Sequence, residues 1–119
     1  MANPTVPLGL EEQVCAYTCQ GVPSTENLAL ILERLVYAVG MTLDGPPDIS
    51  SYPNADGKGG EGCQIYQKLT ESFVVGGTWP AHGFTRIVLS SCKPYEQETV
   101  EAILTGSIGP ITRSIYGNL

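Results

Sequence analysis

The sequence predicts an α+β fold: a two-layer α/β sandwich in which a mostly antiparallel sheet carries two helices on one face. Three observations predict it. Two segments place apolar residues at helical spacing, striped along one side only. Several others alternate apolar and polar residues or are rich in β-branched ones. Their order, β-α-β-β-β-α-β, fits a mostly antiparallel sheet with its helices on one face. At 119 residues, 42% of them hydrophobic, the chain suits one domain with one core.

The elements follow in order. Residues 1–7 read as a frayed start. Gln13 to Thr18 alternates, with Val14, Ala16 and Thr18 on one side and Cys15 and Tyr17 on the other, which is a short strand. The stretch QGVPS breaks it. Ser24 is an N-cap candidate, with Glu26 in the first turn near the positive helix end. Leu28, Ile31, Leu32, Leu35, Val36 and Val39 then recur at helical spacing, and Gly40 follows as a C′ residue. Met41 to Leu43 reads as a second short strand. Residues 44–62, with Pro46, Pro47, Pro53 and several glycines, read as a long loop of the kind that is usually functional or mobile. Cys63 to Thr70 alternates again, and Phe73 to Gly76 is its continuation or a paired strand. Pro80 to Gly83 is a turn, and Phe84 to Ser91 a β-branched strand. Pro94 is expected to open a second helix that runs to Thr105, with Val100, Ile103 and Leu104 inward and Gly106 ending it. Ile111 to Tyr116 is a last strand.

Charge and cysteines narrow the function classes. Twelve acids against six bases give a net charge of −6, which argues against non-specific binding to nucleic acid or anionic membrane. No basic segment precedes an apolar stretch, and no apolar run is long enough to span a bilayer, so a cytoplasmic location is expected. Cys15 and Cys19 lie on one face of a strand, roughly 13 Å apart. That exceeds the reach of about 7 Å between Cα atoms in a disulfide. With one histidine in the chain, the C-x-x-x-C is also a poor zinc signal. Reduced cysteines and no metal are expected.

The stretch LTESFVVGGTWPAHGF, Leu69 to Phe84, carries the chemistry. It sets Glu71-Ser72 before an apolar run, then Thr78-Trp79-Pro80 and His82. Read alone, Ser72 is a hydrogen-bonded strand serine, Trp79 a packing anchor, Cys92 a small buried hydrophobe and His82 a polar turn residue. Together, LTESFVVGGTWPAHGFTRIVLSSC resembles the core of prokaryotic S-adenosylmethionine decarboxylases. Similarity extends to LGLEEQVCAYTC, to the Ser24–Gly40 helix with its following GMT, and to SYP at Ser51–Pro53, covering about residues 8–105.

The resemblance implies a self-cleaving proenzyme. The Ser72 hydroxyl would attack the carbonyl of Glu71, exchanging the amide for an ester. Elimination would cut the chain, and hydrolysis would leave a pyruvoyl cofactor derived from Ser72. That ketone would bind the amine of S-adenosylmethionine and take up electrons as CO₂ leaves, in polyamine biosynthesis. By resemblance Glu71, Ser72 and Cys92 are the catalytic candidates, Cys92 as proton donor. Trp79 and Tyr52 are the substrate-binding candidates, Tyr52 by stacking on an adenine. A homodimer or higher homo-oligomer is implied as well. The open sheet face, with Tyr66, Phe73 and Val75, is apolar enough to need a cover.

Several positions depart from the family pattern. Gly77 stands where the family has the histidine that assists elimination, and Phe73 where another histidine follows the serine. Ala81 replaces the acid that hydrogen-bonds ribose. Glu11-Glu12 replaces the histidine of the opening motif, and GGEGCQ blurs a Gly-x-Ser-Gly. Three alternatives therefore stay open: a non-processing relative that binds a small ligand or partner subunit, a decarboxylase of arginine or ornithine, and an unrelated α/β ligand-binding module.

Overall fold

The computed structural model describes residues 12–53 and 61–119. They form one six-stranded antiparallel sheet with two helices on one face, as the sequence predicts. The strands are β1 (Gln13–Gln20), β2 (Asp48–Pro53), β3 (Glu61–Leu69), β4 (Ser72–Trp79), β5 (Phe84–Ser91) and β6 (Ile111–Asn118). The helices are α1 (Thr25–Ala38) and α2 (Gln97–Ser107). The sheet order is β2-β3-β4-β5-β1-β6, and every neighbouring pair is antiparallel.

Helix α1 starts where its cap chemistry places it. Ser24 has extended backbone and its hydroxyl accepts from the Asn27 N–H at 3.1 Å. Its stripe of Leu28, Ile31, Leu32, Leu35, Val36 and Val39 is buried throughout. Those residues meet one sheet face built by period-two alternation: Cys15, Tyr17 and Cys19 of β1; Cys63, Ile65 and Leu69 of β3; Val74 of β4; Ile87 and Leu89 of β5. Val100 and Leu104 of α2 complete the core. A methyl group built on Gly76 meets Leu28 Cδ1 at 3.2 Å and Ile87 Cδ1 at 3.1 Å, so α1 seats directly on that glycine. The opposite face has no helix. It carries Ala16, Val75 and Val88 half-buried, and Tyr66 and Ile115 exposed.

Four expectations need correction. Met41 to Leu43 is no strand: it makes one bridge, Leu43 to Leu69. The expected loop instead contains β2, an edge strand paired along Asp48–Pro53 with β3. Its side chains have no core to face on either side, so it lacks the alternation that reveals buried strands. Helix α2 begins at Gln97 rather than Pro94, because the Tyr95 N–H is held by the Gln13 side chain at 2.7 Å. Gly106 lies inside the helix, which ends at Ser107 with Ile108 as its cap. Of the two readings open for Phe73 to Gly76, the structure has the paired strand: Ser72–Trp79 is hairpin-paired with β3.

Candidate active site

Antiparallel pairing brings three strand ends together: the start of β1, the start of β4 and the end of β5. Strands β3 and β4 are joined by the two residues Thr70 and Glu71, with Leu69 opposite Ser72. So short a hairpin asks for left-handed backbone, usually supplied by glycine or asparagine. Here Glu71 takes it, with φ of 66°, alone among the described non-glycine residues. That conformation costs an L-residue about 1–2 kcal/mol. The strain sits on the residue whose carbonyl forms the Glu71-Ser72 bond.

Ser72 is half-buried. Its Oγ accepts from the Cys92 N–H at 3.0 Å and donates to Glu12 Oε2 at 3.3 Å. The same carboxylate oxygen accepts from the Oγ of Ser90, which is buried. Glu12 is held from behind by a reciprocal backbone pair with Leu119, its N–H to the Leu119 carbonyl at 3.0 Å and the Leu119 N–H to its own carbonyl at 2.7 Å. Cys92 follows β5, and its thiol lies 3.8 Å from Met41 Sδ. The next residue, Lys93, donates from Nζ to the Gly40 carbonyl at 3.0 Å, tying the end of β5 to the end of α1. The cluster therefore holds a hydroxyl poised beside a strained peptide bond, a carboxylate that can take its proton, and a nearby thiol.

Glu71, Ser72 and Cys92 thus come together. Trp79 and Tyr52 do not join them. Trp79 is seven residues along β4 from Ser72, about 23 Å at the rise of an extended strand. Tyr52, on edge strand β2, pairs with Gly62 at that same far end. Gly77 is also distant, roughly 16 Å along β4 from Ser72. His82 sits beyond Trp79 in a 3₁₀ turn (Pro80–His82), its ring 6.2 Å from that of Phe84. A base at position 77 or 82 cannot reach Ser72 of its own chain.

The far end is packed around Trp79. Its indole stacks on Phe84, with centroids 5.0 Å apart and planes 14° from parallel. The Arg86 guanidinium lies 5.3 Å from the Trp79 ring and 5.0 Å from that of Phe84, in cation–π contact. A methyl group on Gly77 would lie 3.3 Å from the indole, so Trp79 occupies the space a side chain at 77 would use. Thr78 ties the motif to β3, accepting from the Cys63 N–H at 3.1 Å. Ala81 is exposed.

Cys15, Cys19 and Cys63 are buried free thiols in the core. Burial pushes Cys15 up and Cys19 up to about 11. Among the described residues no group of three His, Cys, Asp or Glu side chains is placed to hold a metal ion. None of the described helices is long and apolar enough to cross a membrane. Leu8-Gly9, Glu11 and Gly59-Gly60 lie outside the described residues. The contacts of Glu12 with Ser72 and Ser90 are not foreseen from the sequence. The signal for them is its place one residue before β1, whose first residue, Gln13, pairs with Ser91 at the end of β5, next to Cys92.

No protein-family model and no curated protein sequence matches this chain. Among solved structures it is similar to the crystal structure of the adenosylmethionine decarboxylase from Aquifex aeolicus VF5. The TM-score is 0.67 and the identity 17%, over 92% of this chain and 88% of that one. At that identity the likeness establishes a shared fold: this chain has the α+β architecture of an adenosylmethionine decarboxylase.

Proposed function

We propose that this chain is the precursor of a pyruvoyl-dependent decarboxylase that cuts itself between Glu71 and Ser72 and acts on S-adenosylmethionine. One observation carries the reading. The Ser72 hydroxyl lies between a carboxylate and an N–H donor, directly after a residue in strained left-handed backbone. Strain at Glu71 raises the energy of the peptide bond to be broken, and the Cys92 N–H fixes the oxygen that attacks it. The pyruvoyl group, once formed from Ser72, supplies the electron sink for loss of CO₂. Cys92 gives the proton to the carbon that CO₂ leaves.

The reading includes a homodimer. Trp79 and Tyr52 lie too far from Ser72 to serve the same substrate within one chain. A two-fold axis between open sheet faces, perpendicular to the strands, lays the Trp79 end of one sheet over the Ser72 end of the other. It also covers Ala16, Tyr66, Phe73, Val75, Val88 and Ile115.

Intact mass and a denaturing gel of fresh protein test self-cleavage. The expected result is two fragments, residues 1–71 and 72–119, the second beginning with a pyruvoyl group, together with CO₂ release from S-adenosylmethionine. A single uncut chain of 12.7 kDa overturns the reading. CO₂ release from arginine or ornithine instead would keep the mechanism and change the substrate. A second reading, a relative that never cuts itself and binds a ligand or partner subunit, is favoured by the indole packed over Gly77 and by Ala81. The same gel decides between them.

A further inference from the structure

Resting on the self-cleavage reading, we propose that Glu12 is the general base of the first processing step and that Ser90 positions it. A serine hydroxyl is a weak nucleophile and needs a partner to take its proton as it attacks. The partner has to lie within hydrogen-bond reach. Glu12 Oε2, at 3.3 Å from Ser72 Oγ, is the side-chain acceptor that receives this hydroxyl. Position 73 carries Phe, which has no base, and position 77 and His82 are ruled out as bases for their own chain by distance, since both lie toward the opposite end of β4.

The step balances without any co-reactant. As Ser72 Oγ bonds to the Glu71 carbonyl carbon, its proton passes to the Glu12 carboxylate. The carbon–nitrogen bond of the Glu71-Ser72 peptide then breaks. The freed nitrogen takes the proton back from Glu12, and the product is an ester isomeric with the starting amide. Glu12 ends as it began. Ser90 donates to the same carboxylate oxygen and is buried, so it holds that oxygen facing Ser72. The backbone pair with Leu119 extends the β1–β6 ladder and anchors Glu12 on that side, while Gln13 next to it pairs with Ser91 at the end of β5.

Glu12→Gln separates proton transfer from shape, because an amide oxygen still accepts both hydroxyl bonds but takes no proton at neutral pH. Ester formation, read as fragments released by added hydroxylamine, should slow by about 10²–10⁴-fold in Glu12→Gln, the usual worth of a general base. The melting temperature should stay near that of the wild type. Glu12→Asp should cut at an intermediate rate, and the acid limb of the wild-type pH–rate profile should vanish in Glu12→Gln. Ser90→Ala should slow cutting less than Glu12→Gln does and keep the acid limb. If wild type cuts and Glu12→Gln cuts at the same rate, the role of Glu12 is overturned while the precursor reading stands. If wild type never yields fragments, even with hydroxylamine added to trap an ester, the precursor reading falls and the role of Glu12 with it.

Discussion

Ser72 and Cys92 touch through a backbone N–H, and that detail separates their roles. Ser72→Ala removes the proposed nucleophile and should abolish cutting. It also removes one contact to Cys92 and one to Glu12, a stability cost of about 1 kcal/mol, so the folded circular dichroism spectrum should persist. Cys92→Ala keeps the N–H that fixes Ser72 Oγ. Under the proposed function self-cleavage should therefore go on, while CO₂ release drops by about 10²–10⁴-fold for want of the proposed proton donor. A gel and a CO₂ assay on the same sample check the split; loss of cutting in Cys92→Ala would mean the thiol acts earlier. That Glu71, Ser72 and Cys92 lie together was legible, because the motif places them by spacing. The contact of Glu12 to Ser72 was not, since it spans 60 residues and exists only once β1, β5 and β4 have paired.

Among the elements, α1 was the most legible, because its stripe and its Ser24 cap are both local signals. Edge strand β2 was not legible: with side chains open to solvent on both faces, Asp48–Pro53 shows no alternation, and Pro53 is tolerated only because the strand is at an edge. The seat of α1 on β4 gives a stability prediction. Gly76→Val must push aside Leu28 and Ile87, whose methyls already lie 3.1–3.3 Å from a built Cβ, and should cost about 1–3 kcal/mol, read from denaturant midpoints. Strand β1 gives a pH prediction. It points Cys15, Tyr17 and Cys19 into the core, and burial raises all three, Cys19 from 9.0 to about 11. The unfolded chain sheds those protons first, so it binds fewer than the folded chain above pH 9. Stability should be full below pH 9 and fall as pH rises toward 11, with Tyr17 extending the loss to higher pH. Urea midpoints at pH 8 and pH 10.5 check the sign; an equal or higher midpoint at pH 10.5 would contradict it.

At the scale of the molecule, the two ends of the sheet carry the two halves of the proposed chemistry. The Ser72 end has the nucleophile, carboxylate and thiol; the Trp79 end has the stacked aromatics with Arg86 over them. A lone chain keeps them about 23 Å apart along β4. In the proposed dimer, two chains packed through their open faces with strands running opposite would unite them twice over. The centre of that face is Val75 beside Val88, paired across β4 and β5. Light scattering at micromolar concentration should therefore give twice 12.7 kDa. Val88→Asp puts a carboxylate on the apolar face of both copies, unpaired and desolvated, at a cost of several kcal/mol. It should yield a monomer that still folds, since Val88 faces away from the core under the helices. That monomer should still cut itself, because Glu12 and Ser72 belong to one chain. It should decarboxylate poorly, because Trp79 and Tyr52 have lost the neighbouring Ser72 end. A monomeric wild type would sink the dimer. A monomeric Val88→Asp with full decarboxylation would show that the far end of the sheet has no part in binding substrate.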